Sequence, residues 1–224
     1  MHLPISDKIE LNILHQNSHQ AEKNKVKFNN YNLLCLNIMS SPGAGKTRLL
    51  EITLEDLSKK FHSAVLEGDM TTNLDAARLE KLNIPVVPIT TGRACHLDAN
   101  MVSGGLKLLE KKINPDSLDI LLVENVGNLV CPAEFEIGEH FKVALLSITE
   151  GEDKPLKYPI MFREADLILI TKVDLLPHLN FDINELKSNI ASTNPKADVI
   201  EISSITKSGF DLWQDWISKK ILKF

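Results

Sequence analysis

The chain has 224 residues, 43% of them hydrophobic and 25% charged, with a formal net charge of −5. That is enough for one α/β domain with a full core and too little for two ordinary ones, and an acidic balance with no long basic run argues against nucleic acid as a partner. No apolar stretch nears the ~20 residues that cross a bilayer, no signal-peptide apolar region is visible, and three cysteines do not make a disulfide framework, so no membrane partner and a reducing cytoplasm are expected.

Residues 1–30 are polar around a weak helical pattern (Ile9, Ile13, Leu14) and read as an N-terminal arm or peripheral helix. It leads into a single domain over 31–224. His2, His15 and His19 are scattered with no cysteine nearby, so they read as solvated rather than as ligands. Leu33 through Met39 is an apolar run expected to be a buried strand. It delivers the chain to Ser40-Ser41-Pro42-Gly43-Ala44-Gly45-Lys46-Thr47, and apolar residues at helical spacing follow to Leu57. Strand, small-residue loop and helix with Gly-Lys-Thr at the helix start form a phosphate-binding loop. Successive backbone N–H groups of that loop and the helix N-terminus are suited to anionic oxygens. Lys46 is expected at the β- and γ-phosphates and the Thr47 hydroxyl on Mg²⁺. The general pattern opens with Gly, whereas this loop opens with Ser40. Arg48 in the first helical turn either reaches phosphate or stands in solvent.

Ser63–Leu66 reads as a second strand ending in Glu67-Gly68-Asp69, followed by a helix over 75–82 with Asp75, Arg78 and Glu80 outward. Asp69, at a strand end beside the loop, is a candidate for Mg²⁺ or its waters. Ile84–Ile89 is a short strand between prolines, and it runs toward the adjacent pair Cys95-His96 before a helix over 99–112. Ile120–Val123 is an apolar strand ending in Glu124-Asn125-Val126-Gly127. The acid and glycine stand where P-loop GTPases carry D-x-x-G and sense the γ-phosphate, here as E-x-x-G. Cys131 follows four residues later. Two thiols and an imidazole on loops at one sheet edge suit Zn²⁺, Ni²⁺ or Cu. They equally suit two small buried cysteines and an ordinary histidine. Cys35, inside the first strand, is expected in the core.

Phe141–Ile148 is another buried strand, and the polar loop 149–159 after it is expected to cover a site or form an interface. Ala165–Ile170 is a strand handing over to Thr171-Lys172-Val173-Asp174, similar to the guanine-reading N-K-x-D box. Asp174 is expected to accept from guanine and the Lys172 stem to lie along the base. Thr171 stands where Asn is usual, so a bond to the loop scaffold is expected to be lost. Ser203-Ser204-Ile205 follows the last strand at the place of a guanine-contacting loop. Trp213 and Trp216 have the spacing of helix packing residues.

Taken in order, these motifs resemble the HypB family, the GTPases that help insert nickel into [NiFe]-hydrogenases. Cys95-His96-Leu97-Asp98-Ala99 and Glu124 through Pro132 carry the resemblance most specifically, and it covers about residues 30–220. It implies a P-loop NTPase of the SIMIBI-like class, α/β, with a mostly parallel sheet flanked by helices on both faces. It implies slow, Mg²⁺-dependent GTP hydrolysis with Lys46, Thr47, Asp69 and Glu124 at the chemistry. GTP or GDP would be held by 42–48, Gly127, Lys172, Asp174 and 203–205. Ni²⁺ or Zn²⁺ would sit on Cys95, His96 and Cys131, near a homodimer interface that responds to nucleotide. A HypA-type nickel chaperone and a hydrogenase large-subunit precursor are the implied partners. The family's Ser-Ser-Pro-Gly loop accounts for Ser40. Two alternatives stand beside this reading: a urease-type nickel GTPase, whose Cys-Pro-His motif is absent here, and a P-loop nucleotide kinase.

Overall fold

The computed structural model describes the backbone of residues 5–70 and 74–224, with side chains from residue 12 onward. A long helix α1 (Ile5–Asn30) precedes β1 (Leu34–Ser40) and the P-loop helix α2 (Lys46–Leu57). There follow β2 (Ser63–Asp69), α3 (Leu74–Glu80), β3 (Val86–Thr90), α4 (Ala99–Glu110) and β4 (Ile120–Glu124). The second half holds α5 (Cys131–Glu134), β5 (Phe141–Ser147), α6 (Lys154–Lys157), α7 (Pro159–Glu164) and β6 (Leu167–Thr171). It closes with α8 (Ile183–Thr193), β7 (Asp198–Ile202) and α9 (Phe210–Ile221). The 149–159 stretch, expected as loop, contains α6, because Pro155 sits in the first helical turn, where it costs no hydrogen bond.

All seven strands pair in parallel, in the order β3-β2-β4-β1-β5-β6-β7. The fold is the expected P-loop α/β architecture. Parallel strands covered on both faces must be apolar throughout, and β1 is buried at every position. Its side chains divide by the two-residue strand period. Leu34, Leu36 and Ile38 pack with α2 and α9, while Cys35 and Met39 enter the two clusters beneath the other face. Cys35 is thus core, as its position in the strand implies. Trp213 and Trp216 stack at 5.8 Å between ring centroids, and the Trp213 indole N–H donates to Thr53 Oγ1 at 2.9 Å. That bond ties α9 to the helix carrying the P-loop.

Polar residues dock α1. The Asn17 amide donates to the Glu136 carbonyl at 2.8 Å and accepts from the Ala99 N–H at 2.9 Å. Asn24 donates to the carbonyls of Ala99 at 2.7 Å and Ile137 at 3.0 Å. Both asparagines are buried, as is Phe28. His15 and His19 are exposed on α1, and His2 lies outside the described residues. Among the described residues no helix is long and apolar enough to cross a membrane.

Because every strand points the same way, the loops after β1, β2, β3, β4, β6 and β7 all emerge on one edge of the sheet. The chain reverses its direction of travel beside β1, which lies between β4 and β5. Ligands of such sheets bind at that crevice.

Candidate nucleotide and metal site

Gly43 and Gly45 have φ of 77° and 103°, values that side-chain-bearing residues rarely adopt, and a Cβ on either would meet nothing within 4 Å. The turn is therefore shaped by backbone demand and leaves an open cradle. Lys46 is 8% exposed, and its ammonium donates to Ser40 Oγ at 2.8 Å, which itself donates to the Ser41 carbonyl at 2.6 Å. The unusual Ser40 is thus a parking place for the phosphate lysine. Burial lowers the Lys46 pKa from its ordinary value, with Glu124 foremost among the carboxylates opposing that shift. A cavity of about 430 Å³ opens here. Pro42, Gly43, Gly45, Lys46, Thr47, Arg48, Glu67–Met70, Asp75, Arg78 and Glu124–Gly127 line it. Gly127 is seated on the P-loop so closely that a Cβ would come 2.9 Å from Pro42 Cα.

The Thr47 hydroxyl donates to Glu124 Oε1 at 2.7 Å. The other Glu124 oxygen is buried without a hydrogen-bond partner among the described residues, and so is Glu67 Oε2. The two acids are neighbours across β2 and β4, directly paired in register. Burial first, then the Glu124 charge, pushes Glu67 up to about 8. Burial pushes Glu124 up to about 7 against the pull of Lys46 and the Thr47 bond. Asp69 ends β2 at the cavity wall, its Oδ1 accepting the Met70 N–H at 2.6 Å. Two orphaned carboxylate oxygens beside a threonine hydroxyl are a donor set that fits a hard, oxygen-seeking cation. The sequence reading picked out Asp69 and Glu124 but passed over Glu67. Its only signal was an acid inside an apolar strand, and its meaning depends on the register with β4.

The raised pair predicts a pH dependence. Between the ordinary carboxyl value of 4.5 and about 8 the folded chain holds more protons than the unfolded one, so stability falls as pH climbs. His140, pushed down to about 4 by burial, acts in the opposite sense below its ordinary 6.5. Burial lowers His96 as well, and this opposing contribution fades as pH rises past 6.5, so over the window from 6.5 to 8 the carboxyl pair increasingly dominates. The Tm of nucleotide-free, chelator-treated protein is expected to drop across it, and Glu67→Gln to flatten the slope. A Tm that rises with pH there rules the assignment out.

Arg78 is exposed, as its helical spacing predicts, and it is paired there. It clasps both Glu51 oxygens on α2 at 2.9 and 2.8 Å and reaches Asp75 Oδ1 at 3.0 Å. Arg48 lies at the cavity rim, half exposed, and pairs with Glu51 at 3.1 Å.

The guanine-type loops join the P-loop from the other side. The Thr171 hydroxyl donates to the Ala44 carbonyl at 2.8 Å, so the scaffold bond expected to be lost is made. A hydroxyl on a strand end this close to the loop replaces the usual amide. Lys172, at φ 62°, donates to the Gly43 carbonyl at 2.8 Å. The Ser203 hydroxyl donates to Asp174 Oδ1 at 2.5 Å and accepts from the N–H groups of Ile205 at 3.2 Å and Thr206 at 3.1 Å. Ser204 is partly buried, and Ile205 stands out at 79% exposure.

Cys95, His96 and Cys131 converge: their donor atoms all lie within 4.8 Å of one another, each residue partly exposed. The thiol sulfurs are 2.9 Å apart, and Cys95 Sγ is 3.9 Å from His96 Nδ1. The Phe135 ring lies 4.0 Å from the imidazole and fixes its plane. Burial lowers the His96 pKa and so favours the neutral, metal-binding form. Burial and then Cys95 raise that of Cys131, which favours its protonated thiol until a cation displaces the proton. Three donors leave a tetrahedral position open.

Residues 34–201 match the family model of the CobW/HypB/UreG nucleotide-binding domain. The hydrogenase maturation factor HypB of Azotobacter vinelandii is 48% identical over 215 residues, 95% of this chain and 69% of its own. The probable hydrogenase maturation factor HypB of Methanocaldococcus jannaschii is 38% identical over 221 residues, 99% of this chain and 98% of its own. The crystal structure of HypB from Helicobacter pylori in complex with nickel superposes with a TM-score of 0.88 at 39% identity, covering 93% of this chain and 96% of that one.

Proposed function

The chain belongs to the HypB family of CobW/HypB/UreG nucleotide-binding domains, and from there we propose that it is a Mg²⁺-dependent GTPase metallochaperone. It holds nickel, or zinc, and assists nickel insertion into a [NiFe]-hydrogenase precursor. One observation carries the reading. Cys95, His96 and Cys131 cluster within 4.8 Å, and the segment that leads to Cys131 begins at Glu124–Gly127 in the wall of the cavity.

The roles follow from the chemistry of the residues. Lys46 leaves Ser40 and neutralises phosphate oxygens, while the backbone N–H groups of 43–47 cradle them. Thr47, Asp69, Glu124 and, beside them, Glu67 would hold Mg²⁺, whose bound charge offsets that on the β- and γ-phosphates. Asp174, oriented by Ser203, accepts from the guanine edge; the Lys172 stem and the 203–205 backbone complete that reading. Gly127 senses the γ-phosphate. Neither a catalytic glutamine nor an arginine free of carboxylate partners lines the described part of the cavity, so intrinsic hydrolysis is expected to be slow. Nickel is cargo: each thiol would lose its proton to solvent and bind as thiolate, and the neutral imidazole would add a third bond. The open coordination position supports a homodimer in which a second copy adds ligands. A HypA-type chaperone as nickel donor, the hydrogenase large-subunit precursor as acceptor and a cytoplasmic location complete the proposal.

The test is nickel and zinc stoichiometry per chain with Mg²⁺–GDP against a non-hydrolysable GTP analogue, alongside competition of GTP by ATP. Metal uptake that depends on nucleotide, with GTP preferred, is the expected result. Preference for ATP would favour the kinase alternative, and identical metal content and affinity in both states would leave a passive metal-binding module.

A further inference from the structure

The metal cluster is held from two sides. Cys131 follows the γ-phosphate sensor Gly127 by four residues along the chain. Cys95 and His96 have no such tether, but they lead into Leu97, whose backbone N–H donates to Asn125 Oδ1 at 2.9 Å. Asn125 is wholly buried and lies between the cavity acid Glu124 and the sensor. The same oxygen accepts the Val126 N–H at 2.9 Å. The amide nitrogen donates to Asn37 Oδ1 at 3.2 Å, and Asn37 in turn donates to Glu139 Oε1 at 3.2 Å. This chain orients the amide, so that its oxygen and not its nitrogen faces Leu97. The Leu97 side chain packs down on β2 at Gly68, between Glu67 and Asp69: a Cβ on Gly68 would come 2.6 Å from Leu97 Cδ1.

We propose that Asn125 is the positioning residue through which movement of the Glu124–Gly127 segment reaches Cys95 and His96. This rests on the nickel-GTPase reading above. One carbonyl oxygen serves both Val126, in the sensing segment, and Leu97, next to the ligands. When the sensing segment shifts with the terminal phosphate, the amide cannot follow Val126 without moving Leu97. A buried N–H has no water to fall back on, so the coupled shift is preferred to a broken bond. Cys131 is moved through its tether and Cys95-His96 through the amide, and the ligand geometry changes from both sides at once.

The experiment measures nickel affinity by chelator competition in Mg²⁺–GDP and in a non-hydrolysable GTP analogue, for wild type and Asn125→Ala. The wild-type ratio between the two states is expected to be roughly tenfold, within the usual range of allosteric coupling. In Asn125→Ala, with nucleotide held at saturating concentration, it should fall to within about twofold of unity. A merely structural role would weaken both states alike and preserve the ratio. An Asn125→Ala ratio equal to wild type overturns the inference alone. A wild-type ratio of one overturns the coupled metallochaperone reading, and this inference with it. Should Asn125→Ala fail to fold, amide exchange at Leu97 in the wild type decides. Protection that differs about tenfold between nucleotide states supports the role, and equal protection overturns it.

Discussion

Lys46→Ala is expected to lower affinity for GDP and GTP by roughly a hundredfold, the scale of about 3 kcal/mol for a charge-assisted bond made in a buried site. This ammonium is 8% exposed, and among the described residues its hydrogen bond goes to the Ser40 hydroxyl at 2.8 Å. A serine is a poor substitute for an anion, and the burial that lowers the lysine pKa is a standing cost. Phosphate oxygens would relieve it, which is why the lost affinity should be large and the lost stability small. The substitution should leave the Tm nearly unchanged near pH 6.5. It should also steepen the decline toward pH 8, because Lys46 is a cation opposing the upward shifts of Glu67 and Glu124. Titration of a fluorescent GDP analogue, with melts across that range, checks both statements. Nucleotide affinity within a few-fold of wild type would mean that the cavity is not the phosphate site.

Cys131→Ala is expected to weaken nickel and zinc binding by roughly 10²–10³-fold. A four-ligand site is worth about 10–16 kcal/mol, so one ligand carries roughly 3–4. Cys131 is the donor of choice for this test because its sulfur lies 2.9 Å from that of Cys95 while its backbone starts a short helix of its own. Its removal takes one donor and leaves the Cys95-His96 loop anchored through Leu97 to Asn125. GDP affinity should therefore stay within a few-fold of wild type. Chelator competition on the reduced protein gives the metal affinity, and fluorescent-GDP titration the other arm. A variant that keeps wild-type nickel affinity would move the site elsewhere.

Local readings and long-range placements had different fates. The P-loop was legible because all of its chemistry is contiguous: apolar strand, glycine turn, Lys46 and Thr47 follow one another, and the strand period of β1 decides its own two faces. The same holds for the packing tryptophans. Glu67 was missed because an acid in an apolar strand acquires meaning only from its register partner, Glu124. Thr171 was misjudged because the Ala44 carbonyl that completes its hydrogen bond is 127 residues away. The Glu51 partner of Arg78 was not legible because helical spacing says nothing of a neighbouring helix. Residues 1–30 left arm and peripheral helix both open because Asn17 and Asn24 dock α1 through hydrogen bonds, which leave no apolar period.

The order of side chains along the chain was sufficient to specify a glycine turn followed by Lys46 and Thr47, an acid and a glycine at the end of β4, and an adjacent thiol and imidazole. Each depends on groups only a few residues apart, and strand or helix periodicity carries them into place. Whether the sulfurs of Cys95 and Cys131 meet, and whether Asn125 joins their loop to the sensor, was decided by the parallel pairing of β2, β3 and β4. Strand order and register arise from burying the whole sheet at once, a balance over many distant residues that no short stretch of sequence contains.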